Sequence, residues 1–367
     1  MAKPHSTLLT LALALLGLLP LAAADSLPAA ATPDPAVLKR EWIYASGPHP
    51  SVHASSLVEV QGRLLAVWFG GSAEGNKDVC IWLSQQDRNG QWQPCRQVAD
   101  GQQPDGSRHP TWNPVLFQPS RGPLLLFYKV GPSPSTWWGE LKTSNDGGQT
   151  WSPAQRLPEG ILGPIKNKPI ELPNGDLLCP SSSETPTRPS RWSIAFERSP
   201  DQGKTWSSSG SLHDGLQISA IQPSLLQLGG GQLLALGRSR QGRLFRISSS
   251  DEGRSWGKIE LTDLPNPNSG TDAITLRDGR HLLIYNHTQR GRSPLNLALS
   301  QDGKEWQAAL VLENQPKTEF SYPAIIQTAD GMVHLSYTWK RQRVAHVVID
   351  PSRLKPRPMP KGQWPQE

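Results

Sequence analysis

Cysteine is scarce in this chain. Its 367 residues include three, Cys80, Cys95 and Cys179, too few for a disulfide framework and at spacings that match no zinc site. No metal or other cofactor is expected. Cys80 and Cys95 lie nearly symmetrically about the turn QQDRNGQ, so a hairpin would bring them opposite each other; a disulfide and a set of buried free thiols both stay open. Helix-period stretches are absent as well, which excludes bundles and helical solenoids. Long apolar runs are missing beyond the N-terminus, where LLTLALALLGLLPLAAA follows Lys3, contains Pro20 and ends in Ala22-Ala23-Ala24 before Asp25. This pattern reads as a signal peptide over residues 1–24, and implies an exported protein, periplasmic or secreted, with no stable membrane anchor after cleavage.

Charge of one sign is not concentrated anywhere. The formal net charge is +6 and the isoelectric point near 9.3, but the basic residues are scattered and accompany no nucleic-acid-binding motif, so nucleic acid is not an expected partner. An acidic small substrate or an anionic polysaccharide accounts for the bias equally well. The Ala- and Pro-rich segment 25–40 and the basic, Pro-rich tail 351–367 read as flexible ends around a body spanning 41–350.

Tryptophan, by contrast, is plentiful, with 14 residues. Five of them are periodic. Four segments share a Ser, Asp, Gly, Trp spacing: SNDGGQTW from Ser144, SPDQGKTW from Ser199, SSDEGRSW from Ser249 and the shorter SQDGKEW from Ser300; SQQDRNGQW from Ser84 is a degenerate copy. Trp92, Trp151, Trp206, Trp256 and Trp306 therefore recur roughly every 50 to 60 residues, the period of propeller blades. Upstream of each box lies an apolar strand, a Gly-bearing turn and a second apolar strand, as in PSLLQLGGGQLLALGRS; PAIIQTADGMVHLSYTW is a sixth such unit without a box. The expectation is an all-β, six-bladed β-propeller of four-stranded antiparallel blades. A strand near residues 41–47, EWIYASG, would complete the sixth blade and hide the open edges.

Aligning the six units on their first strand exposes one polar residue per blade: His53, Asn113, Lys168, Gln222, Asp272 and Tyr322. Equivalent positions on the innermost strands of a propeller face one end of its axis, so these residues are expected to furnish a common pocket.

The boxes resemble the Asp-box, or bacterial neuraminidase, repeat, and over about residues 41–350 the chain resembles the sialidase superfamily. The resemblance implies structural roles for the boxes: Asp closes the turn, Gly takes a positive φ, Trp packs between sheets. It also implies roles in the pocket. Tyr322, in EFSYPAIIQTADG, falls where the family has a tyrosine nucleophile, and a neutral phenol can approach an anomeric carbon that carries a carboxylate. Arginines that bind the substrate carboxylate fall on Arg292 and on Arg243, taken before Arg238, Arg240 and Arg246 within GRSRQGRLFRIS. Glu74 stands nearest the acid/base position, with Asp78 as a structural residue. Three departures stand out: His53 occupies the place of an arginine, Glu74 that of an aspartate acid/base, whose proton transfer a glutamate can also perform, and Gln222 that of a glutamate base, which an amide cannot replace.

Lys129, Lys166, Lys168, His109 and an aromatic wall of Trp137 and Trp138 are expected near the same end, with Asn113, Asp272, Lys129, Lys168 and Arg240 as further substrate contacts. The function implied is an exo-sialidase-like glycoside hydrolase that removes a terminal acidic sugar from a glycan. Two rivals are a polysaccharide lyase acting on uronate through a His53/Tyr322 pair, and a non-catalytic glycan-binding propeller.

Overall fold

The computed structural model describes residues 27–28 and 33–366; the expected signal peptide lies outside them. Six antiparallel sheets follow one another around an axis. The first blade is built from strands Ser51–Val60, Arg63–Gly71, Cys80–Gln85 and Arg96–Ala99, and the next four repeat that meander. In the sixth, Phe320–Gln327, Val333–Trp339 and Arg343–Ile349 are joined by Val37–Tyr44, paired antiparallel with Arg343–Ile349. The ring is thus closed by hydrogen bonds between a strand that precedes the first blade and the last strand of the sixth, which completes the sixth blade. This closing strand begins earlier than 41, inside the segment expected to be flexible.

The second strand of a blade shows why the ring holds. LLLFYKV, residues Leu124–Val130, is buried along its whole length because both its faces meet neighbouring blades. Six apolar clusters form in this way, one between each pair of adjacent blades. Val115, Phe127 and Leu141 of the second blade pack with Leu177 and Cys179 of the third, and Ile43 and Val344 of the sixth pack with Leu57 and Trp68 of the first. Burying each such Leu, Val or Phe contributes about 1.5–3 kcal/mol, and no blade can keep that burial alone.

The boxes sit in the turns between third and fourth strands. In the second blade, Ser144 donates to Asp146 at 2.7 Å, and Asp146 accepts from the Thr150 backbone N–H at 2.9 Å. Hydrogen bonds from Thr150 and Ser144 hold the Asp146 carboxyl down at about 2. Gly148 has φ +88, and a Cβ there would lie 2.5 Å from Leu65 of the preceding blade. The box is therefore a packing device between blades. Its tryptophan works likewise: Trp256 of the fourth blade stacks on Phe196 of the third, ring centroids 3.8 Å apart.

One open question closes and one expectation changes. Cys80, Cys95 and Cys179 are free thiols. Ile81 pairs with Ala99 and Leu83 with Arg96, a register that keeps Cys80 from facing Cys95. The tail is not a loose end: Arg357–Pro358 adds a fifth strand to the fifth blade, and Leu354 and Met359 are buried.

Candidate functional site

Each blade meander starts at one end of the axis, so the loops joining second to third strands lie at that end and the boxes at the other. Near the starting end, four innermost strands carry a bulge. Ladder pairing breaks between His53 and Ser56, Trp112 and Val115, Ile221 and Ser224, and Ser321 and Ala324. Inside these breaks Ala54, Asn113, Gln222 and Tyr322 adopt φ of 54°, 36°, 56° and 50°. A bulge turns one extra side chain toward the axis, and Pro114, Pro223 and Pro323 follow where a backbone N–H is left unpaired.

This geometry corrects the expected ring of six equivalents. Asn113, Gln222 and Tyr322 are equivalent, but the first-blade counterpart is Ala54, one residue beyond His53. Asp272 starts an unbulged strand, and Lys168 precedes its strand altogether. Residue patterns of period two do not register a one-residue insertion.

Tyr322 is nevertheless the centre of a dense group. Its hydroxyl accepts a 2.9 Å hydrogen bond from the Arg238 guanidinium. The Arg292 guanidinium lies 5.6 Å and the Lys166 ammonium 5.9 Å from its ring centre. On another side the His53 imidazole packs 4.1 Å away, ring to ring, at 44°. His53 is buried, and neither ring nitrogen has a hydrogen-bond partner among the described residues. Burial first, and then the charges of Arg341, Arg292, Arg238 and Lys166, push its pKa well below the ordinary 6.5. Both effects favour the neutral imidazole over the charged one.

Behind these groups lies a fixed electrostatic frame. Glu319 accepts from Arg292 at 2.8 Å, from Arg341 at 2.9 Å and from the Ser321 hydroxyl at 2.9 Å. Burial raises the Glu319 carboxyl, but Arg292 and Arg341 outweigh it and hold the pKa below its ordinary value. Arg341 also pairs with Glu74, tying the first-blade loop to the sixth-blade turn. The Arg341 carbonyl accepts from the Val52 N–H at 2.8 Å, next to His53. Lys166 donates to Asn167 and to the Thr271 and Pro323 carbonyls. Burial chiefly brings its pKa down to about 7, with Asp272 opposing and Lys168 and Arg238 adding to the fall.

Several expected contacts are engaged elsewhere. Asp272 accepts from Lys168, Ser224 and the backbone N–H groups of Ala273 and Ile325, so it pins four blades together, and Lys168 is spent on it. Lys129 is buried between the second and third blades, donating to the Pro164 carbonyl and facing Glu197; burial brings its pKa to about 7. Arg243 is exposed and pairs with Asp263 at 3.0 Å. Arg246 pairs with Glu260. Gln222 is buried, with its side-chain oxygen unpartnered among the described residues. Asp78 accepts from Ser72 and closes the first-blade loop.

The aromatic wall has a different membership from the expected one. Ring contacts run from His53 to Phe69 at 5.7 Å, from Phe69 to Trp112 at 6.1 Å and from Trp112 to Trp137 at 6.0 Å. Trp138 turns away, between His109 and the Arg156 guanidinium.

Sequence reasoning misses Arg341 and Glu319 and prefers Arg243 to Arg238. Arg238 sits opposite Ile221, beside the bulge, whereas Arg243 starts the next strand. Arg341 lies in WKRQR, a basic tight turn at the pocket end of a hairpin, and its position there was the available signal.

Comparison with known proteins agrees with this architecture. The BNR repeat-like domain family matches residues 62–335. No curated protein sequence matches the chain. Among solved structures, a protein of unknown function from Dyadobacter fermentans superposes with TM-score 0.71 at 17% identity, covering 86% of this chain and 99% of that one. A Hadza microbial sialidase gives 0.72 at 17%, covering 86% and 69%. The intramolecular trans-sialidase from Ruminococcus gnavus, in complex with oseltamivir carboxylate, gives 0.68 at 13%, covering 89% and 100%. At these identities the likeness establishes a shared six-bladed fold; with the family matching most of its length, the chain belongs to the BNR repeat-like domain family, on a sialidase-type propeller.

Proposed function

We infer that the protein is a glycoside hydrolase that removes a terminal sugar bearing a carboxylate, sialic acid or a related acid, from a glycan. The observation that carries this reading is the Tyr322 hydroxyl held by Arg238 within a group of Arg292, Arg341 and Lys166. Guanidinium groups match a carboxylate in a bidentate fork, and buried cations seek an anion.

Tyr322 Oη would attack the anomeric carbon, forming a bond to it as the glycosidic C–O bond breaks, and Glu74 would protonate the departing oxygen. Water then attacks the glycosyl–tyrosine, with Glu74 taking its proton. A substrate carboxylate that binds Arg341 competes with Glu74 for the guanidinium. Docking would therefore free the Glu74 carboxyl for the leaving group. Gln222 cannot accept the phenol proton; the His53 imidazole beside the ring, whose nitrogens have no partner among the described residues, can.

The contact between His53 and Tyr322 supports a second reading. In a lyase on uronate glycans, His53 removes the proton next to the carboxylate while Tyr322 protonates the leaving oxygen, leaving an unsaturated sugar. Incubation with sialylated and uronate-containing glycans, reading released sugar and ultraviolet absorbance together, separates the two. Release without absorbance supports hydrolysis, absorbance supports elimination, and binding without either supports a glycan-binding module. Export after cleavage near Asp25 is part of this proposal; among the described residues no helix is long and apolar enough to cross a membrane.

A further inference from the structure

Around the mouth of the site, charge is distributed unevenly. The pocket-end segments 185–191, 209–219, 240–242, 266–271, 286–294, 314–319 and 340–342, on the third to sixth blades, carry Arg188, Arg191, Arg240, Arg290, Lys317 and Lys340, all exposed. These segments hold two carboxylates, the exposed Asp214 and Glu319, and Glu319 is already engaged by Arg292 and Arg341. Across the axis, the first-blade loop sets Lys77 between Glu74 and Asp78, and at the opposite end of the propeller the box carboxylates Asp146, Asp201, Asp251 and Asp302 are interleaved with Lys204, Arg254 and Lys304. The basic bias of the composition is therefore directional.

One of these cations is held in place. The Arg240 guanidinium lies 4.0 Å from the Trp192 ring centre. The same indole is 5.2 Å from the guanidinium of Arg238, the donor to Tyr322. Trp192 is itself buried and fixed by a 2.8 Å hydrogen bond to Glu184. A rigid ring thus joins the arginine at the axis to one at the rim. The rim guanidinium has no hydrogen-bonding partner among the described residues, although an unpaired arginine ordered by an aromatic face costs little further entropy on binding an anion.

We propose that Arg240 on Trp192, with the cations of the third- to sixth-blade rim, forms a second anionic subsite, and that the ligand is a polyanionic glycan with carboxylates on successive sugars rather than a lone acidic cap on a neutral chain. This rests on the reading that the axial group binds one carboxylate. The acidic sugar at the axis would occupy Arg238, Arg292 and Arg341, and the next carboxylate along the chain would meet Arg240. Polyanions of sialic acid and of uronate share this chemistry.

The test is calorimetric binding to the Tyr322→Phe protein, which cannot consume its ligand. The probes are an α2,8-linked sialic acid tetramer against sialyllactose, and a galacturonate tetramer against galacturonic acid. For one of the two pairs, the tetramer should bind at least about tenfold more tightly than its singly charged counterpart, with the advantage shrinking as salt rises from about 0.05 to 0.5 M. The substitution R240Q should cut that advantage about three- to fivefold, as expected for one exposed ion pair, and R188Q/R191Q/R240Q should remove most of it. Equal affinity for tetramer and singly charged ligand, or an advantage untouched by the triple substitution, overturns the second subsite while leaving the axial one standing. Failure to bind any of the four ligands removes the axial reading, and with it this proposal. A thermal melt of each variant that matches the parent keeps loss of folding out of the result.

Discussion

The Arg238 guanidinium, from the second strand of the fourth blade, reaches the Tyr322 hydroxyl of the sixth at 2.9 Å. A guanidinium that donates to a phenol oxygen orients it and leaves the opposite lone pair for attack. Replacing Arg238 by Lys keeps the charge but loses the fork. Steady-state kinetics on an acidic-sugar substrate should show kcat/KM reduced about 100- to 1000-fold, the usual cost of losing one oriented donor. A loss of less than about fivefold would make the contact structural.

His53 gives a sign for the effect of pH on stability. Its folded pKa is depressed by burial and by the surrounding cations, and burial likewise brings His49, His287 and His334 to about 4. Below the ordinary value of 6.5 the unfolded chain takes up protons that the folded one refuses, so stability present above 6.5 is lost as pH falls toward 4. Thermal melts between pH 7 and 4 should show a falling Tm, and His53→Gln should flatten part of that fall. An unchanged slope would mean that His53 already carries a proton in the folded state.

Closure of the ring has its own latch. Glu41, on the strand Val37–Tyr44, accepts from His346 at 2.9 Å and from Trp92 of the first blade at 3.1 Å. Glu41→Ala should lower the stability of the whole propeller by about 1–3 kcal/mol, as unpaired buried polar groups cost. Urea unfolding followed by tryptophan fluorescence and by circular dichroism should stay one coincident transition. Two separated transitions would contradict a single cooperative unit.

Two glycines divide conformation from packing. Gly148 and Gly242 have φ of 88° and 73°, but a Cβ at Gly148 meets Leu65 at 2.5 Å while none is met at Gly242. Gly242→Ala should cost about 1 kcal/mol for backbone alone, and Gly148→Ala should exceed that by about 1–3 kcal/mol through overpacking between blades. Chemical denaturation checks both, and equal costs would refute the inter-blade role of the box.

Why the architecture was legible and part of the site was not follows from these residues. The box spacing and paired apolar strands carry blade number and order because each blade repeats the same local chemistry. A bulge leaves no such mark: His53 and Ala54 cannot be ranked by alternation once an extra residue enters the ladder. Arg238 and Arg243 are five positions apart in one basic segment, and the strand end that separates them is a tertiary fact. Arg341 reaches the group from the sixth blade through contacts distant in sequence, with Glu74 and Val52. The prolines of the tail point to a mobile end, yet Leu354 and Met359 supply apolar anchors that composition averages away.

Turnover by Tyr322→Phe tests the central claim most directly. The phenyl ring keeps the packing against His53 and the place among Arg238, Arg292 and Lys166, so folding and capture of an acidic glycan should survive. Both catalytic readings require the phenolic oxygen. On the glycan that the parent consumes, the variant should therefore lose at least about a thousandfold in kcat, equivalent to about 4 kcal/mol in the barrier, with ligand affinity within about threefold of the parent. A variant that keeps more than about a tenth of the parent rate would contradict the account, and would leave Tyr322 a packing residue at the end of a strand.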